Sequence, residues 1–75
     1  MGSSEEHRIV SRLGEVLLAR GMTLTQLSQA TGITLANLSI LKNGRAKAVR
    51  FSSLTLICDA LQCTPADLLD LAPKQ

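Results

Sequence analysis

Aromatic residues are nearly missing from this chain: there is no Trp, no Tyr and one Phe, Phe51. Its apolar content is dominated by Leu, with few β-branched aliphatics. Strands favour aromatic and β-branched side chains while helices favour Leu and Ala, so the composition predicts an all-α fold. Long hydrophobic runs are also lacking, and none approaches the roughly 18 residues that a membrane-crossing helix needs. The first residues, Met1 to Glu6, are polar and acidic, which argues against a secretory leader. Cysteine is limited to Cys58 and Cys63, with no second pair to complete a metal site. Cys58 falls inside a helical pattern and reads as a buried free thiol rather than a disulfide or metal ligand, so the expected compartment is a reducing cytoplasm. Histidine occurs once, at His7, and no Ser or Cys nucleophile is placed to pair with it. With Asp59, Asp67 and Asp70 on one surface-facing segment, no catalytic constellation assembles; neither an enzyme nor a cofactor is expected.

One sign of charge is missing from the middle of the chain. Between Val16 and Cys58 there is no Asp or Glu, while Arg20, Lys42, Arg45, Lys47 and Arg50 all lie there. The acids gather at the two ends, and the net charge of +2 hides this polarity. An acid-free, basic middle suggests a surface facing a polyanion.

What is present reads as five helices within one domain. Residues 1–4 are expected to be a disordered start or cloning remnant, residues 5–72 the folded domain and residues 73–75 a tail. A first helix is expected over about Glu5 to Arg20, opened by a Ser3/Glu6 capping box, with Ile9, Val10, Leu13, Val16 and Leu17 as its apolar stripe and Gly21 as its C-cap. Thr23 and Gln26 have the spacing of a reciprocal cap for a short second helix, which Leu27 and Ala30 anchor inward and Gly32 stops. Thr34 caps a third helix running to about Lys42, with Leu38 and Leu41 on its buried face and Asn43-Gly44 closing it. A connection of about three residues forces the second and third helices to cross sharply, as in a helix-turn-helix from Thr23 to Lys42. Residues 44–50 have no apolar period and read as a basic loop. A fourth helix spans about Ser52 to Leu61 with Leu54, Ile57, Cys58 and Leu61 buried. Thr64-Pro65-Ala66-Asp67 then starts a fifth, with Leu68, Leu69 and Leu71 on its apolar face.

The run Gly21 to Gly32, the run Ile33 to Arg45, and the later Phe51, Leu54, Ile57-Cys58-Asp59-Ala60-Leu61 and Pro65-Ala66-Asp67-Leu68-Leu69 together resemble the Cro and phage-repressor type of helix-turn-helix domain, the Xre family. The resemblance covers Leu13 to Leu71 and implies a compact five-helix, lambda-repressor-like DNA-binding domain with its helix-turn-helix at helices two and three. It puts base reading at Thr34, Leu35, Ala36 and Ile40, with Asn37 and Ser39 beside them. Asn37 has the donors and acceptor for a bidentate contact to adenine, while Leu35, Ala36 and Ile40 suit thymine methyls. For Leu35 and Ile40 the alternative is ordinary core packing. Contacts to the DNA backbone are implied for Thr23, Thr25 and Gln26 at the start of helix two, and for Lys42, Asn43, Arg45, Lys47 and Arg50. Arg50 matches a position that in some phage repressors reaches toward the minor groove. Arg20 and Lys74 read as solvated surface.

Two departures bear on function. Many relatives carry a Gln early in helix two where this chain has Leu24, and its recognition helix lacks their Gln or Arg. An exposed Leu24, Leu35 and Ile40 would make an apolar patch of the kind that marks protein contacts. The expectation is therefore a transcriptional regulator, a repressor, that binds a palindromic operator as a homodimer, with helix five and the loop before it at the dimer surface. The alternative is an antitoxin-like or antirepressor-type module that binds a protein partner on the same scaffold.

Overall fold

The computed structural model describes residues 7–74. The elements follow the order β1 (Ile9–Ser11), α1 (Leu13–Arg20), α2 (Leu24–Thr31), α3 (Leu35–Lys42), α4 (Phe51–Leu61), α5 (Pro65–Leu68) and β2 (Leu69–Leu71). Each helix is too short to be stable alone, so the fold depends on shared burial. One cluster supplies it: Leu13 and Leu17 from α1, Leu27 from α2, Leu38 from α3, Leu54, Ile57, Cys58 and Leu61 from α4, and Leu68 from α5. Among the described residues the buried set holds no polar or charged side chain. A core of Leu, Ile and Cys side chains from five helices, without a large ring, explains how the fold dispenses with aromatics.

Helix boundaries obey local chemistry. The Thr23 hydroxyl accepts from the Gln26 N–H at 3.1 Å while the Gln26 side-chain oxygen accepts from the Thr23 N–H at 2.8 Å. Thr34 caps α3 by accepting from the Asn37 N–H at 3.2 Å. At α5 the Asp67 carboxylate accepts from the Thr64 N–H and hydroxyl, at 2.9 and 3.2 Å, with Pro65 in the first turn. Gly32 adopts φ +77°, a left-handed conformation that a side chain would disfavour, and so turns the chain between α2 and α3.

The all-α expectation needs correcting. Residues 9–11 do not continue a long first helix; they pair antiparallel with residues 69–71, Val10 opposite Asp70. The first helix begins at Leu13, and the fifth ends at Leu68 instead of running on through Leu71. Ile9 and Val10 are exposed on the ribbon, so they are not a buried helical stripe. The cause is non-local: a β-branched segment near one end meets an extended segment near the other, and the Arg12 N–H to Leu68 carbonyl bond at 2.7 Å joins the ribbon to the core. Ala30 also departs from expectation, being exposed while Leu27 carries the buried face of α2. The Ser3/Glu6 cap lies outside the described residues.

A helix-turn-helix face with a basic loop

Three residues, 32–34, separate α2 from α3. The turn is braced from within: the Ser28 hydroxyl donates to the Ile33 carbonyl at 2.6 Å, and the Ile33 N–H donates to the Thr31 hydroxyl at 3.2 Å. Leu27 and Leu38, both essentially inaccessible, belong to the core cluster behind it. Once Leu38 is fixed in the core, helical spacing turns Ala36, Asn37 and Ile40 away from it, while Leu35, one turn before Leu38, is left in solvent at the open start of the helix. All four are exposed, and Ser39 is half-buried beside them. The residues expected to read bases thus share one solvent-facing arc of α3, with Thr34 at its start as the cap.

Leu35 and Ile40 are 46% and 44% exposed, which excludes ordinary core packing for them. Leu24 behaves differently: it is half-buried and packs against the core cluster, so it belongs only partly to the expected apolar patch.

The residues expected to hold the DNA backbone are divided by the fold. Thr23, Thr25 and Gln26 stand exposed at the start of α2, but the reciprocal cap already uses the Thr23 and Gln26 amides. Asn43 and Arg45 follow α3 directly. The Arg45 N–H donates to the Ile40 carbonyl at 2.9 Å, the Gly44 N–H to Leu41 at 3.1 Å, and the Asn43 amide to the Ser39 hydroxyl at 3.4 Å. Gly44, not Asn43, takes the positive φ at this closure. Arg45, Lys47 and Arg50 are exposed along the loop into α4. Lys42 diverges from them: its aliphatic stem lies over Gly14 of α1, whose ideal Cβ position is 3.2 Å from Lys42 Cε. Between α3, the loop and α4 runs an open cleft of about 410 Å³, with Asn37 and Ile40 on one wall and Val49 and Arg50 on the other.

Three contacts were not signalled by the sequence. Arg20 is not simply solvated surface, because its guanidinium donates to the Leu61 carbonyl at 2.7 Å and the Gln62 carbonyl at 3.0 Å. Arg12 bridges Asp70, at 2.7 Å, and Glu15, at 3.3 Å. The Arg12 hydrogen bond, helped by the Leu71 N–H, holds the Asp70 carboxyl below the usual carboxylate range, while the Thr64 N–H and hydroxyl do the same for Asp67. His7 contacts the Ala46 carbonyl in the basic loop, at 3.2 Å. Helical or capping patterns signal none of the Arg20, Arg12–Asp70 and His7 contacts, since each links residues from different segments. Both cysteines are free thiols, Cys58 buried and Cys63 half-buried; burial first, then the neighbouring Cys58, pushes the Cys63 thiol up.

A capped helix, a tight braced turn and a second helix with an outward polar and apolar face, followed by a basic loop, define a helix-turn-helix domain. The chain belongs to the family of Cro/C1-type HTH DNA-binding domains, whose family model matches residues 12–74. It is 53% identical over 62 residues to YozG of Bacillus subtilis (strain 168), an uncharacterized HTH-type transcriptional regulator, covering 83% of this chain and 74% of that protein. Its fold is also similar to a crystal structure of the transcriptional regulator VanUg, with a TM-score of 0.72 over 99% of each chain at 22% identity. Among the described residues, no helix is long and apolar enough to cross a membrane.

Proposed function

We propose that the protein is a sequence-specific transcriptional regulator that sets α3 in the major groove of double-stranded DNA. The observation that carries this reading is the shared outward arc of Leu35, Ala36, Asn37 and Ile40, placed between the start of α2 and the basic loop. Asn37 would pair with an adenine edge, while Leu35, Ala36 and Ile40 would pack on thymine methyls. Thr34 and Ser39 flank them. Arg45, Lys47 and Arg50 would fix the register on phosphates, together with Asn43 and the α2 start at Thr23, Thr25 and Gln26. Lys42, with its stem along α1, would reach only a phosphate outside the groove that α3 enters.

One eight-residue helix makes few contacts. Pairing as a homodimer on half-sites about 34 Å apart would double them and select a palindromic operator. Phe51, 86% exposed, sits at the edge of a groove lined by Leu54, Thr55 and Pro65, so knob and hole share one face as a two-fold contact requires. Repression is the simplest output, because an occupied operator excludes other proteins. Such a regulator acts in the cytoplasm.

Selection from a random duplex library, repeated with Asn37→Ala, tests the reading. A palindrome that loses preference at one position per half-site supports it. Equal, weak binding to every duplex would instead favour a protein-interaction module of the antitoxin or antirepressor type, which the exposed Leu35 and Ile40 suit.

A further inference from the structure

His7 lies outside the helix-turn-helix, yet its ring bonds to two segments distant in sequence, residue 9 of β1 and residue 46 of the basic loop. The Ile9 N–H donates to Nδ1 at 3.0 Å, and Nε2 lies 3.2 Å from the Ala46 carbonyl. A neutral imidazole has one donor and one acceptor. Because Nδ1 accepts, Nε2 carries the proton and donates to Ala46, so a single tautomer satisfies both contacts. Ile9 belongs to β1, which is tied to the core through β2 and the Arg12–Leu68 backbone bond. Ala46 lies in the irregular loop that carries Arg45, Lys47 and Arg50. Only about 30 Å³ of space separates the ribbon from the loop here, between His7, Ile9 and Leu69 on one side and Leu41, Gly44 and Ala46 on the other.

We propose that His7 is a positioning residue for DNA binding, which clamps the basic loop to the β ribbon so that its cations meet the phosphate backbone already ordered. The inference rests on the DNA-binding reading given above. A loop held before binding loses less conformational entropy on contact, and that difference shows as affinity. The two ring nitrogens have separable jobs. Asn at position 7 can still accept from the Ile9 N–H but is too short to reach Ala46. Gln is longer and can donate to Ala46.

The test compares His7→Ala, His7→Asn and His7→Gln in the full chain, by operator affinity at fixed salt and by amide hydrogen exchange of residues 45–50 without DNA. Loss of one such bond is expected to weaken DNA binding roughly threefold to tenfold and to speed loop exchange in the Ala and Asn variants. Gln should stay within about twofold of the parent while the melting temperatures of Asn and Gln agree. Equal behaviour of Asn and Gln, or an Ala variant unchanged in loop exchange, would overturn the clamp. Absence of DNA binding by the parent protein would remove the DNA-binding reading instead, and the exchange data would still decide whether His7 holds the loop.

Discussion

The guanidinium of Arg20, the last residue of α1, donates to the Leu61 carbonyl at 2.7 Å, at the end of α4. The same group reaches the Gln62 carbonyl at 3.0 Å. A helix ends with carbonyls that have no intrahelical partner, and a cation there also meets the negative end of the helix dipole. One side chain therefore ties the first helix to the last turn of the helix that contributes most to the core. Arg20→Ala should destabilise the domain by about 1–2 kcal/mol in chemical denaturation, with DNA contacts untouched. Arg20→Lys, which lacks the forked donors, should recover only part of that loss.

The next residue after that helix is also informative. Gln62 takes φ +56° and is the one non-glycine with positive φ among the described residues. A side chain in this conformation is disfavoured by about 1 kcal/mol. Gln62→Gly should therefore stabilise the protein, raising its melting temperature by roughly 4–8 °C if the full strain is released. A lower melting temperature would show that the side chain contributes more than the strain costs.

Acid should loosen the ribbon and the α5 cap by protonating two carboxylates. The folded-state values of Asp70 and Asp67 lie below normal, because Arg12 and the Thr64 cap respectively favour the ionised forms. A depressed carboxyl stabilises the fold above its unfolded value of about 4, and that stabilisation is lost as pH falls through the folded value. Stability should thus be flat from about pH 5 to 7 with respect to these groups and decline below about pH 4. Asp70→Asn should flatten that decline in urea titrations run at several pH values.

Arg45 follows α3 with its backbone already fixed to Ile40. Arg45→Ala should reduce affinity for all sequences alike and lower the slope of log affinity against log salt by about 1. No change in either quantity would remove its phosphate role.

Phe51 offers the cleanest test of self-association. With its ring 86% exposed, Phe51→Glu should leave the thermal stability of the monomer within about 0.5 kcal/mol. Sedimentation should show loss of the dimer, and operator binding should weaken accordingly.

Much of the helix-turn-helix was legible one residue at a time. Thr23 with Gln26, Thr34, and Thr64 with Asp67 act within four residues of themselves, and their hydrogen bonds do not depend on the rest of the chain. The stripe of Leu54, Ile57, Cys58 and Leu61 was likewise readable, because helical spacing alone puts those residues on one face. The same logic placed Leu38 inward and left Asn37 and Ile40 outward.

The ribbon was not legible in this way. Ile9 and Val10 fit a helical stripe as well as they fit a strand, and only the meeting with Leu69–Leu71 decided between them. Leu24 looked as free as Leu35 until the core was assembled, since both open a short helix; contact with the cluster covers one and leaves the other in solvent. Sequence by itself determined where α2 and α3 start and stop and which face of α3 is turned outward, because their caps and periodicity are local. Tertiary structure alone decided that the two ends of the chain pair as strands, that Arg20 closes α4, and that His7 meets the basic loop. Those contacts join residues far apart in the chain, and their free energy exists only once the shared core has brought them together.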